Sequence, residues 1–223
     1  SKLASKNILK IKKRNNIPIL VGGTGLYFKA ILDGLVKIPN IPIRFRNKIR
    51  KLHKNLGQKL FYQKLLNIDP ELKNKINPTD SQRSIRAYEV KEYTKKSLLD
   101  WFKNTNSLFD KSHFFKIYID FPREELILRI NSRTEEMIKM GAISEAERFI
   151  KLNVKKDKSV NKAIGINEIK DFLNKEKELS EIKEKISIKT RQYAKRQSTW
   201  ARGNMSDWFK IKPKEMNKFL KKI

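Results

Sequence analysis

The sequence predicts an α/β fold, largely helical, in which a helical insertion interrupts a core of strand–helix units. Two short apolar runs supply the strands: Ile17-Pro18-Ile19-Leu20-Val21, which ends in Gly22-Gly23-Thr24-Gly25, and the β-rich stretch 114–121 with Ile117, Tyr118 and Ile119. Between them, apolar residues recur at helical spacing with no strand signal. The predicted organisation is therefore 1–39 as a first part of the core, 40–111 as a helical insertion, and 112–223 as the rest of the core with C-terminal helices.

Leu3, Ile8, Leu9 and Ile11 predict an opening helix, and the chain starts at Ser1 inside that pattern, as a fragment would. The run 17–21 reads as a buried parallel strand feeding a glycine turn and then a helix through Leu26, Ala30 and Ile31. Pro39 and Pro42 mark the boundary of the insertion. Phe45, Ile49, Leu52 and Leu56 predict a helix up to Gly57, and Leu60, Phe61 and Leu65 a second one. Asp69-Pro70 has the form of a cap with proline at the first helical position, and Thr79-Asp80 opens a helix running past Val90. After the second strand, a helix from Arg123 to Met140 stops at Gly141 and Ser144 caps the next. Helices at Ile166 to Phe172 and Ser180 to Arg196, a strand at Trp208 to Ile211 and a helix from Pro213 complete the order.

Composition narrows the function. Lys and Arg number 52 against 24 Asp and Glu, so the formal charge is 52 − 24 = +28, spread along the whole chain. Such a surface points to a polyanionic partner, although any single Lys run can also be a solvated face. The absence of cysteine excludes disulfides, thiolate catalysis and thiolate zinc sites. His53 and His113 stand far apart without companions at metal-ligand spacing, so no metal site is predicted within the chain. No apolar run approaches the roughly 20 residues of a membrane span, and the expectation is a cytoplasmic protein with no membrane partner.

Three stretches are more specific. The first is Ile17 to Ala30 with its Gly-Gly-Thr-Gly turn. The second is Asn77-Pro78-Thr79-Asp80-Ser81-Gln82-Arg83-Ser84-Ile85-Arg86-Ala87-Tyr88-Glu89-Val90. The third is Thr190-Arg191-Gln192-Tyr193-Ala194-Lys195-Arg196-Gln197-Ser198-Thr199-Trp200-Ala201-Arg202. Together, and with Arg123 through Arg133 and Lys162-Ala163-Ile164-Gly165 between them, they resemble the tRNA dimethylallyltransferases, collinearly from about Ile17 to Trp208. The resemblance implies a nucleotide-kinase-like core of the P-loop class. It also implies transfer of a dimethylallyl group from dimethylallyl diphosphate to the N6 amine of the adenosine next to the anticodon on its 3′ side, with release of diphosphate. The partners would be a tRNA anticodon stem-loop and a small diphosphate, handled by a monomer.

Residue by residue, the resemblance places the family's active-site threonine at Thr24, on a turn (Gly22, Gly23, Thr24) whose backbone N–H groups can face an anion. The alternative reading of Thr24 is a helix N-cap. Arg123 and Arg129 match a pair that grips the leaving diphosphate. Six residues apart, they diverge by roughly 120° on a helix, yet their long side chains can converge on one anion. Each could instead be an exposed cation paired with a nearby glutamate. Arg133 shares the face of Arg129. The tRNA would meet Gln82, Arg83, Ser84, Ile85 and Arg86, then Lys162, Ala163, Ile164, Gly165, Ile166 and Asn167, then Lys195, Arg196, Gln197, Ser198, Thr199, Trp200, Ala201 and Arg202. The mixture of cations, amides and an aromatic ring in the last group suits a loop whose target base has left its stack. Trp200 could equally be core, and Gly165 a helix cap.

Some of the family's pattern is absent from these residues. Its Gly-Lys-Ser/Thr phosphate loop, which cradles diphosphate and Mg²⁺, and its Asp-Ser-x-Gln motif with the general base are not found, so the Mg²⁺ ligands are expected in an N-terminal part outside this sequence and the chain alone is expected to be inactive. Ile166 stands where the family prefers Tyr, Ala201 where it prefers a bulkier apolar residue, and Lys95-Lys96 where Gly-Lys is common. A non-catalytic RNA-binding module is the alternative of a different class. A general nucleotide kinase is disfavoured by the missing Gly-Lys-Ser/Thr.

Overall fold

The computed structural model describes residues 2–103, 105–155 and 158–221; Ser1, Asn104, Lys156, Asp157, Lys222 and Ile223 lie outside them. The chain forms two compact units, one of Ser1–Leu20 with Leu26–Phe114 and one of Val21–Gly25 with Phe115–Ile223.

In the first unit, helix α1 (Lys2–Lys12) buries Ile8, and helix α2 (Gly25–Leu32) buries Ala30 and Ile31. The unit's core forms between helix α3 (Ile43–Ile68) and helix α4 (Ser81–Thr94), with helix α5 (Leu98–Lys103) beside them. Phe61, Leu65, Leu72, Ala87 and Val90 are sealed from solvent there, and the rings of Phe61 and Tyr88 lie 5.1 Å apart. Gly57 breaks α3 with φ 71° and ψ 167°, a conformation open to glycine, so the two predicted helices meet at a kink where one was expected to stop. Asp80 caps α4 as expected, its Oδ1 accepting from the Arg83 N–H at 3.0 Å.

In the second unit, strands β1 (Ile117–Ile119) and β2 (Phe209–Ile211) run parallel with Ile117 opposite Phe209 and Ile119 opposite Ile211. The crossover between them holds helices α6 (Arg123–Lys139), α7 (Ala142–Lys151), α8 (Ile166–Leu173) and α9 (Leu179–Asn204), and helix α10 (Met216–Leu220) follows β2. Ala146, Ile169, Ile182 and Ile186 form the core of this helical layer. The Ser187 hydroxyl bonds that of Thr134 at 3.1 Å, joining α9 to α6.

Several expectations need correction. Residues 17–21 are extended but belong to no strand, and Ile17, Ile19 and Val21 are 83%, 81% and 91% exposed. A strand exists only where a neighbour completes its hydrogen bonds, and among the described residues none lies alongside this run. Asp69-Pro70 opens only a single 3₁₀ turn, Pro70–Leu72, and the Asp69 side chain makes no capping bond. Ser144 lies inside α7; the position before Ala142 is held by Gly141, whose φ of 96° turns the chain sharply out of α6. The strand expected over 114–121 shortens to Ile117–Ile119 because β2 offers only three partners, and α9 extends past Arg196 to Asn204. The final helix predicted from Pro213 begins as a 3₁₀ turn and becomes α-helical at Met216.

Candidate active site and nucleic-acid interface

Within the second unit, the glycine turn is seated on α9. Gln197 donates from Nε2 to the Gly23 carbonyl at 2.9 Å. A Cβ at Gly25 would stand 2.0 Å from the Trp200 ring, so the indole lies flush against the glycine backbone. Gln197 and Trp200 are three apart on one helical face, and Gly23 and Gly25 are two apart in the turn. Two glycines permit the approach. Thr24 between them is exposed. Two residues expected to face RNA thus also hold the turn.

Arg123 and Arg129 project from α6 and are exposed. The Arg129 guanidinium sits 4.9 Å from the Phe121 ring centroid, a cation–π contact that limits where it can swing and leaves its N–H groups free to face an anion. Arg133 is exposed one turn further on.

The segment 162–167 wraps the start of α8. Gly165 adopts φ 108°, and its N–H donates to Glu168 Oε2 at 2.9 Å. Glu168 is 3% exposed and pairs with Lys189 of α9. Burial opposes its ionisation, but the Lys189 ammonium and the backbone N–H groups of Glu168 and Gly165 outweigh burial and hold the carboxyl below the usual glutamate range. Lys162, Ala163, Ile164 and Asn167 are exposed around this fixed turn, Ile166 is half-buried and Gly165 is buried. Along α9, Lys195, Arg196, Thr199 and Arg202 face solvent, Ser198 is half-buried and Ala201 is enclosed. Arg196 lies 5.7 Å over the Tyr193 ring, and Arg202 donates to the Thr199 hydroxyl at 3.4 Å.

In the first unit, Gln82 and Arg83 are exposed and Ile85 and Arg86 half-buried at the start of α4. Ser84 is fully buried and receives a hydrogen bond from Gln58 at 3.2 Å, which also reaches the Pro78 carbonyl at 2.5 Å. Enclosed in this way, Ser84 shapes the start of the helix from within, and Arg83 and Gln82 are the side chains left outside. Phe121, Glu168, Lys189 and Gln58 were not singled out from sequence. Of these, only Glu168 carried a local signal, its position three residues after Gly165.

Among the described residues, no group of three or more His, Asp or Glu could hold a metal ion. Among them, too, no helix is long and apolar enough to cross a membrane.

A family model described as IPP transferase matches residues 1–204. The chain belongs to the IPP transferase family. A tRNA dimethylallyltransferase of Pelagibacter ubique is 55% identical over 221 residues, covering 99% of this chain and 71% of that protein. The crystal structure of the tRNA isopentenylpyrophosphate transferase of Bacillus halodurans is 29% identical with a TM-score of 0.57, covering 95% of this chain and 65% of that one. A eukaryotic dimethylallyltransferase acting on tRNA shares the fold with a TM-score of 0.74 at 24% identity, covering 93% of this chain and 54% of that one. The IPP transferase fold thus agrees with the α/β, largely helical class read from sequence.

Proposed function

We propose that this chain carries the adenine- and tRNA-holding part of a tRNA dimethylallyltransferase. The substrate is the adenosine immediately 3′ of the anticodon. Its N6 attacks the allylic carbon of dimethylallyl diphosphate, a C–N bond forms as the C–O bond to diphosphate breaks, and the amine proton passes to a base. Thr24 contacts the amine or a diphosphate oxygen, while Arg123 and Arg129 meet the charge that grows on the departing diphosphate. Exposed members of the segments 82–86, 162–167 and 195–202 hold the anticodon stem-loop.

The observation that best supports this reading is the seating of Gly23 and Gly25 on Gln197 and Trp200, which holds the two residues flanking Thr24 on a helix rich in cations. Positioning of this kind lowers the barrier when a nucleophile and an electrophile must be aligned. The +28 charge supports a polyanionic substrate.

The 223 residues contain neither a Gly-Lys-Ser/Thr loop nor an Asp-Ser-x-Gln segment. Transfer therefore requires a further segment that supplies the phosphate cradle and the base. The test incubates radiolabelled dimethylallyl diphosphate and an anticodon stem-loop with the chain, alone and joined to such a segment from a relative. Label is expected on the adenine only in the joined protein. Label with neither protein, despite stem-loop binding by both, would favour a non-catalytic RNA-binding module.

A further inference from the structure

The carboxylate of Glu89 in α4 is 1% exposed and is met by three arginines. Arg46 and Arg50 of α3 approach it through Nε at 3.4 and 4.0 Å, and Arg86 of α4 through a terminal nitrogen at 3.5 Å. The group carries three positive charges against one negative. Among the described residues, no second carboxylate pairs with these arginines. Their side chains remain 37%, 52% and 41% exposed.

One guanidinium in bidentate contact at about 2.7–2.9 Å satisfies a buried carboxylate, and further ones add mutual repulsion. Here the contacts are longer, and Glu89 Oε1 and Arg46 Nε are buried without a hydrogen bond. The arginines are gathered by the carboxylate but not saturated by it. Arg46 and Arg50 meet the carboxylate through Nε, and a third to a half of each side chain is still open to solvent. Arg83, one turn before Arg86, is exposed and pairs with Asp80 at 3.4 Å, so it adds no further uncompensated charge to the three.

We propose that Arg46, Arg50 and Arg86 form a phosphodiester-binding site for the RNA backbone, with Glu89 as a positioning residue that holds the three forks together. The partner follows from the geometry. Planar guanidinium groups with several donors each, partly open to solvent, match phosphate oxygens, and a surplus of two charges attracts an anion without sequence preference. The proposal rests on the tRNA reading above and adds Arg46, Arg50 and Glu89 to it.

The test measures dissociation constants of an anticodon stem-loop for the whole protein between about 0.05 and 0.3 M salt, with thermal melting of each variant alongside. Arg50→Gln should weaken binding about 3- to 10-fold near 0.15 M salt and lower the log–log salt slope by about 0.7–0.9. Arg50→Lys should keep most of the slope while losing part of the affinity, since charge persists and the fork does not.

Glu89→Gln is the sharper variant. It raises the net charge from +28 to +29, so charge alone demands tighter RNA binding. Positioning demands weaker binding by a folded protein. A folded Glu89→Gln protein that binds RNA as well as or better than the parent overturns the positioning role. If that variant does not fold, Arg50→Gln decides the matter: an unchanged slope and affinity overturn the site. A parent that prefers the stem-loop while Arg50→Gln leaves binding unaltered defeats this site alone. A joined protein that transfers no dimethylallyl group defeats the transferase reading and leaves the salt-slope result standing.

Discussion

Gln197 on α9 and Gly23 in the turn before α2 are 174 positions apart in sequence and share a hydrogen bond of 2.9 Å. The bond ties the residue next to Thr24 to a helix whose exposed face carries Lys195, Arg196 and Arg202. The consequences of this seating can be measured one glycine at a time.

Gly25→Ala places a methyl group 2.0 Å from the aromatic carbons of Trp200, and the ring has little freedom to yield. Overpacking of this kind costs about 1–3 kcal/mol, so the melting temperature should fall and dimethylallyl transfer in the joined protein should drop with it. Gly23→Ala meets only the end of the flexible Gln197 side chain, 2.4 Å away, and should cost less. Adding Trp200→Ala to Gly25→Ala should recover part of the lost stability, as a double-mutant cycle would register. Equal losses for the two glycine variants would contradict the close approach of Trp200.

Acid should loosen the Gly165 turn. Glu168 is held below its ordinary value of 4.5, so in mild acid the folded state binds fewer protons than the unfolded chain. Its contribution is complete above that value and disappears as pH falls through the folded-state pKa. Glu168→Gln should therefore destabilise the protein at neutral pH and flatten the acid limb of its stability curve. Lys189→Met leaves a buried carboxylate short of its cation and should cost about 2–3 kcal/mol at pH 7. Urea titrations from pH 7 to pH 3 would check both; an acid limb unchanged by Glu168→Gln would disprove the linkage.

Arg129→Ala in the joined protein should lower kcat by about 10²–10³ while leaving the RNA dissociation constant nearly intact, because the charge it meets is greatest as diphosphate departs. Phe121→Leu should have a smaller effect of the same kind, since it frees the guanidinium from the ring 4.9 Å away without removing it. Loss of RNA affinity with unchanged kcat would reassign Arg129 to the RNA.

Arg83 is exposed and its carboxylate partner Asp80 lies 3.4 Å away near the surface. Arg83→Ala should reduce the preference for an anticodon stem-loop over a duplex of equal charge at about 0.15 M salt, and leave most low-salt binding in place. Competition titrations would show it, and a preference that survives the substitution would remove Arg83 from the loop contacts.

What could be read in advance divides along physical lines. The cap at Asp80, the break at Gly57 and the amphipathic run of α6 depend on neighbours within a turn or two, and local sequence reported them. Residues 17–21 had the composition of a buried strand, but strand formation depends on a partner elsewhere, so composition alone misjudged the outcome. At the candidate site, the motifs located Thr24, Gln197 and Trp200 but not their mutual contact. Lys189, 21 positions after Glu168, carried no signal because only the packing of α8 on α9 brings the pair together. The same holds for Arg46 and Arg50, which meet Glu89 across the α3–α4 contact.

The five residues Val21–Gly25 belong to the second unit although the chain on both sides of them belongs to the first. During synthesis Gln197 leaves the ribosome 174 residues after Gly23, roughly 9–35 s later at ordinary elongation rates. Until then the contacts with Gln197 and Trp200 are missing. The earlier helices can fold as they emerge, while Thr24 acquires its fixed surroundings only once α9 has been made, so a nascent chain arrested before α9 would have a compact helical unit and an unformed site.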